Sequence, residues 1–202
     1  LDDNRSATTY VTVNDDCTIK PAFLKYYELI ITAGTGGTTT ETTKRTYASG
    51  SAEVSVTATP NSGYRFDKWV KVSGGDACYV IDETAATTNV YVRETCKIQA
   101  TFKKLRTLTV TASEGGSVSP TSVVVDEGDE YAITATPDAS HRFHSWNYVV
   151  GGGACYMHSP RASTMLVTVS DDCTINAFFL RIYEVKLTAG TGGSTSFTAK
   201  TV

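Results

Sequence analysis

A single long period runs through this 202-residue chain, and any fold it adopts must satisfy that period. Trp69 recurs as Trp146, Cys78 as Cys155, Cys96 as Cys173 and Phe102 as Phe179, each 77 positions later. Between Ala58–Lys104 and Ala135–Arg181, 20 of 47 positions are identical without a gap. The shared frame is Ala-Thr-Pro (58–60, 135–137), Arg-Phe-x-x-Trp (65–69, 142–146), Gly-Gly-x-Ala-Cys-Tyr (74–79, 151–156) and Cys-x-Ile-x-Ala-x-Phe (96–102, 173–179). The ends belong to further copies, because residues 1–46 match 157–202 at 23 of 46 positions. A two-repeat unit duplicated as a whole accounts for that second match. The chain therefore divides into the end of one repeat (1–25), two complete repeats (26–103 and 104–181) and the start of another (182–202). It starts Leu1-Asp2-Asp3 without Met, and reads as an interior piece of a longer protein.

Within a repeat the dominant periodicity is two, the signature of half-buried strands. Each copy opens with such a run, Tyr27–Ala33 and Leu105–Ala112, followed by Gly-Gly at 36–37, 115–116 and 192–193. Extended runs separated by such a turn predict a hairpin. A second strand precedes Ala-Thr-Pro (Val54–Ala58, Tyr131–Ala135), where proline, which has no N–H to donate, ends the ladder. Later strands follow at Asn89–Arg93 with Lys97–Phe102, and at Leu166–Ser170 with Thr174–Phe179. No segment carries a sustained 3.6-residue period. Asp82–Thr88 and Ser159–Thr164 are the places for a single helical turn. The expected class is all-β: a tandem array of small sandwich-like (sheet-on-sheet) or barrel-like units of about 77 residues.

A unit of that size buries a modest core. The recurring aromatics Phe66, Trp69 and Phe102, with Phe143, Trp146 and Phe179 in the next copy, are the residues expected to fill it, beside Tyr64. The other use of such rings is a stacking platform for sugars, for which Tyr79 and Tyr156, recurring beside cysteines, are the candidates for ligand contact.

Five cysteines occur. Each complete repeat holds two, 18 positions apart, which predicts disulfides Cys78–Cys96 and Cys155–Cys173 and leaves Cys17 to pair outside the fragment. Closing such a loop stabilises a domain by roughly 3 kcal/mol in the chain-entropy model. A persistent disulfide belongs to an oxidising compartment, hence to export. Free buried thiols are the alternative. Zinc ligation is the weaker one, since two cysteines at that spacing without a repeated histidine supply no tetrahedral set.

Other signals for chemistry are thin. His141, His144 and His158 all lie in one repeat, opposite Tyr64, Asp67 and Ile81 in the other. A site essential to the module is not lost between neighbouring copies, so no catalytic residues, no metal site and no cofactor are assigned. Asp15-Asp16 and Asp171-Asp172 become Glu94-Thr95 in the middle copy, and fit a solvated turn better than calcium ligation. The glycine clusters lack the helix and lysine of a phosphate loop. Asn4-Arg5-Ser6 is an isolated glycosylation sequon. A net charge of −3 from scattered residues leaves no basic face for nucleic acid. No apolar run approaches the roughly 18 residues of a membrane helix, so no direct membrane insertion is expected.

The order TAGTGGTTT, then VTATPNSGYRFDKWV, then CKIQATFKK resembles the divergent internalin B-repeat, a bacterial repeat akin to the Listeria–Bacteroides repeats. Gly63-Tyr64-Arg65-Phe66-Asp67-Lys68-Trp69 and Ala100-Thr101-Phe102 carry the likeness; Ser140-His141 departs from it, and the cysteine pair is an addition to the pattern. The resemblance implies a compact β-rich, β-grasp-like module of secreted or surface-anchored bacterial proteins, with no catalytic residues. The expected role is a stalk, spacer or adhesion module at the cell surface, whose partners are neighbouring repeats. A glycan or a host or matrix protein is the alternative partner. Self-assembly into an extracellular filament through the partial terminal repeats is a third reading, although the two tails together lack a counterpart of Ala48–Tyr79.

Overall fold

The computed structural model describes residues 8, 10–20, 23, 25–47, 52–194 and 199–201; the sequon at Asn4 lies outside them. The first complete repeat contributes β1 (Tyr26–Ala33), β2 (Gly37–Thr39), β3 (Thr43–Tyr47), β4 (Ala52–Pro60), β5 (Tyr64–Ser73), β6 (Cys78–Val80), β7 (Thr87–Val92) and the start of β8 (Cys96–Ala112). The second begins within β8 and continues through β9 (Gly116–Ser119), β10 (Ser122–Asp126), β11 (Glu130–Pro137), β12 (His141–Val150), β13 (Cys155–Met157), β14 (Thr164–Val169) and β15 (Cys173–Arg181). A last pair, β16 (Glu184–Lys186) and β17 (Ala199–Thr201), opens the next copy. The chain is all-β; among the described residues the only helical turn is a three-residue 3-10 turn at Gly75–Ala77.

Each repeat is a sandwich of two four-stranded layers. In the first repeat one layer runs β2-β4-β7-β6, and the other places β5 and β1 beside β8, with β3 beyond β1. The second repeat has β9-β11-β14-β13 against β12, β15, β8 and β10. First and last strands of a repeat are parallel neighbours: Leu29–Ala33 run beside Cys96–Ala100, and Leu108–Ala112 beside Cys173–Ala177. No helix covers either sheet among the described residues, so the sandwich form of the expectation is the one adopted rather than the β-grasp form.

Alternation explains the packing. Leu29, Ile31, Ile98 and Ala100 from one layer meet Val54, Val56, Val90 and Val92 from the other in one buried cluster. Leu108, Val110, Ile175 and Ala177 meet Ile133, Ala135, Val167 and Val169 in a second. Trp69 and Trp146 sit at 0% and 2% exposure. Each indole N–H donates to a loop carbonyl (Trp69 to Ala85, 3.1 Å; Trp146 to Ala162, 2.9 Å), so burial leaves neither indole nitrogen unpaired. Phe66 and Phe143 lean on these indoles at ring distances of 5.7 and 5.5 Å, and on Phe102 and Phe179 at 6.0 Å.

Three local expectations meet a different outcome. The strands flanking Gly36-Gly37 do not form a hairpin with each other: β1 pairs with β3 and β8, while β2 pairs with β4 in the opposite layer. The turn carries the chain between layers, with Gly36 at φ +99° and Gly37 so close to Phe102 that a Cβ would lie 2.2 Å from its ring. Asp82–Thr88 is no helical turn, because the Asp82 carboxylate accepts the Thr84 and Ala85 N–H groups (2.8 and 3.2 Å) and closes an Asx-type loop. Ser159–Thr164 is likewise non-helical. Finally, Lys97–Phe102 and Leu105–Ala112 are one 17-residue strand.

Candidate functional site: the seam and the outward faces

The seam between repeats lies inside β8, so no linker separates the two sandwiches. Its first half pairs with β1 and β5 of the first repeat, its second half with β10 and β15 of the second. Across it, the Arg65 guanidinium of β5 reaches Asp126 at the end of β10, donating from Nε to Oδ1 at 2.6 Å and from Nη2 to Oδ2. Lys103 of β8 adds its ammonium to Oδ2 at 3.1 Å. Register explains the convergence: Arg65 lies opposite Lys103 and Asp126 opposite Leu105, two positions along β8. The Asp126 side chain is 8% exposed. Arg65, then Lys103, hold its carboxyl below the ordinary carboxylate range, and Asp126 in turn raises both cations. Leu105 N–H donates to Gly63 O and Glu127 N–H to Lys104 O, both at 2.8 Å, so backbone bonds also cross the seam.

Sequence reasoning passed over this triad. Arg65 recurs as Arg142, but Asp126 stands where the first repeat has Tyr47 and Lys103 where the second has Leu180, so a search for recurring residues discards two of the three. An acidic residue closing the apolar run Val123-Val124-Val125 was the available signal.

The disulfides join Cys78 of β6 to Cys96 of β8 and Cys155 of β13 to Cys173 of β15, with Cα–Cα distances of 6.0 and 6.2 Å. Each ties one layer of its sandwich to the other. Cys17 is exposed and unpaired within this chain. The adjacent tyrosines point outward, Tyr79 at 58% exposure and Tyr156 at 63%. Each shares a cross-strand row with a carboxylate two strands away: Tyr79, Tyr91 and Glu53 in one repeat, Tyr156, Thr168 and Glu130 in the other.

The histidines do not converge. His141 contacts Ser140 Oγ at 3.1 Å, His144 meets the Phe178 ring edge-on at 5.9 Å, and His158 reaches Thr168 Oγ1 at 2.9 Å and Glu130 at 3.3 Å. Among the described residues no three His, Cys, Asp or Glu side chains are placed to hold a metal ion. The acidic pair works as a strand cap: Asp172 Oδ1 accepts the Thr107 N–H at 2.7 Å, and Asp171 pairs with Arg106. In the first repeat Thr95 takes the capping place, accepting the Glu28 N–H at 3.2 Å.

The model of one repeat family, the divergent InlB B-repeat domain, matches residues 27–105 and again 106–182. The chain belongs to that family. The two matches meet within β8, as the shared strand requires. B-repeats of this kind are repeat modules of bacterial surface proteins, and the family is typically non-catalytic. No curated protein and no solved structure matches the chain. Among the described residues no helix is long and apolar enough to cross a membrane.

Proposed function

We propose that this B-repeat pair is a non-catalytic stalk segment of an exported bacterial surface or secreted protein. Strand β8 carries this reading. A strand shared by two sheets couples repeats through continuous backbone hydrogen bonding, where a linker would let them swivel. The Arg65–Asp126–Lys103 cluster supports the same reading, because a two-pronged ion pair closed on a largely buried carboxylate fixes the register between repeats, although its half-exposed cations add little net stability. The disulfides limit how far each sandwich extends under load, and they suit an oxidising exterior.

Alignment tensors of the two repeats, measured by residual dipolar couplings on the intact chain, test this directly. A rigid stalk gives one common tensor; insertion of Gly-Ser-Gly-Ser between Lys104 and Leu105 then splits it in two. Two different tensors in the unmodified chain would sink the stalk reading.

Adhesion is the second reading, favoured by the exposure of Tyr79 and Tyr156 at matching places in consecutive repeats. An aromatic ring and a carboxylate in one row offer a packing surface and hydrogen-bond acceptors to a glycan or a matrix protein. On this reading Tyr79→Ser together with Tyr156→Ser abolishes attachment of the chain to matrix-coated surfaces while leaving its melting unchanged; undiminished attachment speaks for the stalk alone.

A further inference from the structure

We propose that the outward face of the second repeat's mixed sheet, around Phe178, Asn176 and Asn147, is a binding site for a neutral oligosaccharide. The site is distinct from the Tyr79 and Tyr156 rows and does not rest on the stalk reading.

The face is built by register. Asn147 of β12 lies opposite Asn176 of β15, which lies opposite Thr111 of β8, and the Asn176 amide donates to Thr111 Oγ1 at 2.9 Å. The neighbouring row pairs Thr174 with Thr109. Two positions beyond Asn176, Phe178 is 40% exposed, with the His144 ring 5.9 Å away and inclined to it at 75°. A depression of about 560 Å³ opens beside that ring, walled also by Glu114, His141 and Arg181.

An exposed phenylalanine in a strand costs solvation, yet this one stays open, opposite Ser145 of β12, two positions from Asn176 and beside Ser113 and the depression. The Asn147–Asn176–Thr111 and Thr174–Thr109 rows carry no formal charge, and the charged walls of the depression, Glu114 and Arg181, are of opposite sign and cancel, so a neutral polyol that hydrogen-bonds to both is favoured over a ligand of net charge. A sugar ring presents C–H groups that pack on an aromatic face and vicinal hydroxyls that both donate and accept. An asparagine amide offers a donor and an acceptor side by side, which matches such a pair of hydroxyls. The first repeat lacks the arrangement: Thr101 stands for Phe178, Gln99 for Asn176, Val70 for Asn147, and the charged Lys97 for Thr174. The face is therefore particular to the second repeat.

The experiment is affinity electrophoresis of the intact chain through gels containing dextran, mannan or soluble β-glucan, with heparin and alginate as anionic probes. Retardation by at least one neutral polysaccharide is expected, with none by the anionic two. Phe178→Thr and Asn147→Val, which install residues the first repeat already accommodates, each weaken binding at least tenfold with an unchanged thermal melt, and Leu166→Asn, exposed on β14 in the opposite layer, leaves it intact. Retardation by anionic probes only, by none, or kept in both variants of this face, overturns the proposal. Should Phe178→Thr fail to fold, Asn147→Val alone decides.

Discussion

Two stretches of this chain share half their residues and end up unlike. Asp15-Asp16-Cys17-Thr18-Ile19 near the N-terminus and Asp171-Asp172-Cys173-Thr174-Ile175 in the second repeat are the same five residues. Both begin with one local device, an aspartate accepting the next residue's N–H at 2.8 Å. Beyond it they part. Cys173–Arg181 is a strand buried on one face with neighbours on both sides, while residues 10–20 form no strand and lie exposed. The opening of the next copy behaves differently again: Glu184–Lys186 and Ala199–Thr201 pair in the register of β8 with β10. Topology accounts for all three. The opening strands of a repeat are each other's partners, so they can pair alone. Its closing strands belong to different layers and pair only with strands made earlier in the same repeat. For the N-terminal segment no such earlier strands stand within residues 1–202.

Supplying them is the sharpest way to break the comparison. Residues 104–156 fused ahead of Leu1 complete the missing copy, because 1–46 aligns with 157–202. Amides in 17–20 then gain at least a hundredfold protection from hydrogen exchange, and Cys17 forms a disulfide with the grafted counterpart of Cys155, seen as a loss of two hydrogens by mass spectrometry. Unchanged exchange would show that the topological explanation is wrong.

Next in size is the indole. Trp146→Ala removes a side chain at 2% exposure and costs about 3–5 kcal/mol. Calorimetry should place the loss in the second repeat, with Trp69→Ala as its mirror in the first. Because β8 is shared, each variant also lowers the partner repeat's transition; two independent transitions would contradict that coupling.

Cys155→Ala with Cys173→Ala costs about 3 kcal/mol in the chain-entropy model, read from the denaturant midpoint. Reduction of the native chain should match it in both repeats, and should not alter the exposed segment around Cys17.

The seam gives the smallest effect. Asp126 has a folded pKa held below its unfolded value near 3.9, so its contribution is complete above that value and is lost as pH falls towards the folded one. Asp126→Asn should remove about 1 kcal/mol of coupling, discounted because the Arg65 side chain is 45% exposed. Residual dipolar couplings of the native chain taken from neutral pH to pH 3 should drift towards those of the variant, while the variant itself shows no such drift.

Much of this was legible in the residues. The period fixed the repeat frame, alternation marked the strands before Ala-Thr-Pro and after each second cysteine, and the recurrence of Cys78 and Cys96 as a pair identified both disulfides. Those features are local or copied, and copying makes them visible. What stayed hidden involves distant partners. Nothing in Phe102-Lys103-Lys104-Leu105 says whether two strands meet there or one passes through; that depends on β5 and β10 flanking it. The Gly36-Gly37 turn looks like any hairpin turn until the lateral places beside β1 are taken by β3 and β8. Asp126 is an ordinary exposed acid until Arg65, 61 positions earlier, arrives across the seam. Short-range stereochemistry and repetition are written in the chain itself. Strand partnership is not, because a backbone ladder is indifferent to which segment fills it and only packing of the whole repeat makes the choice.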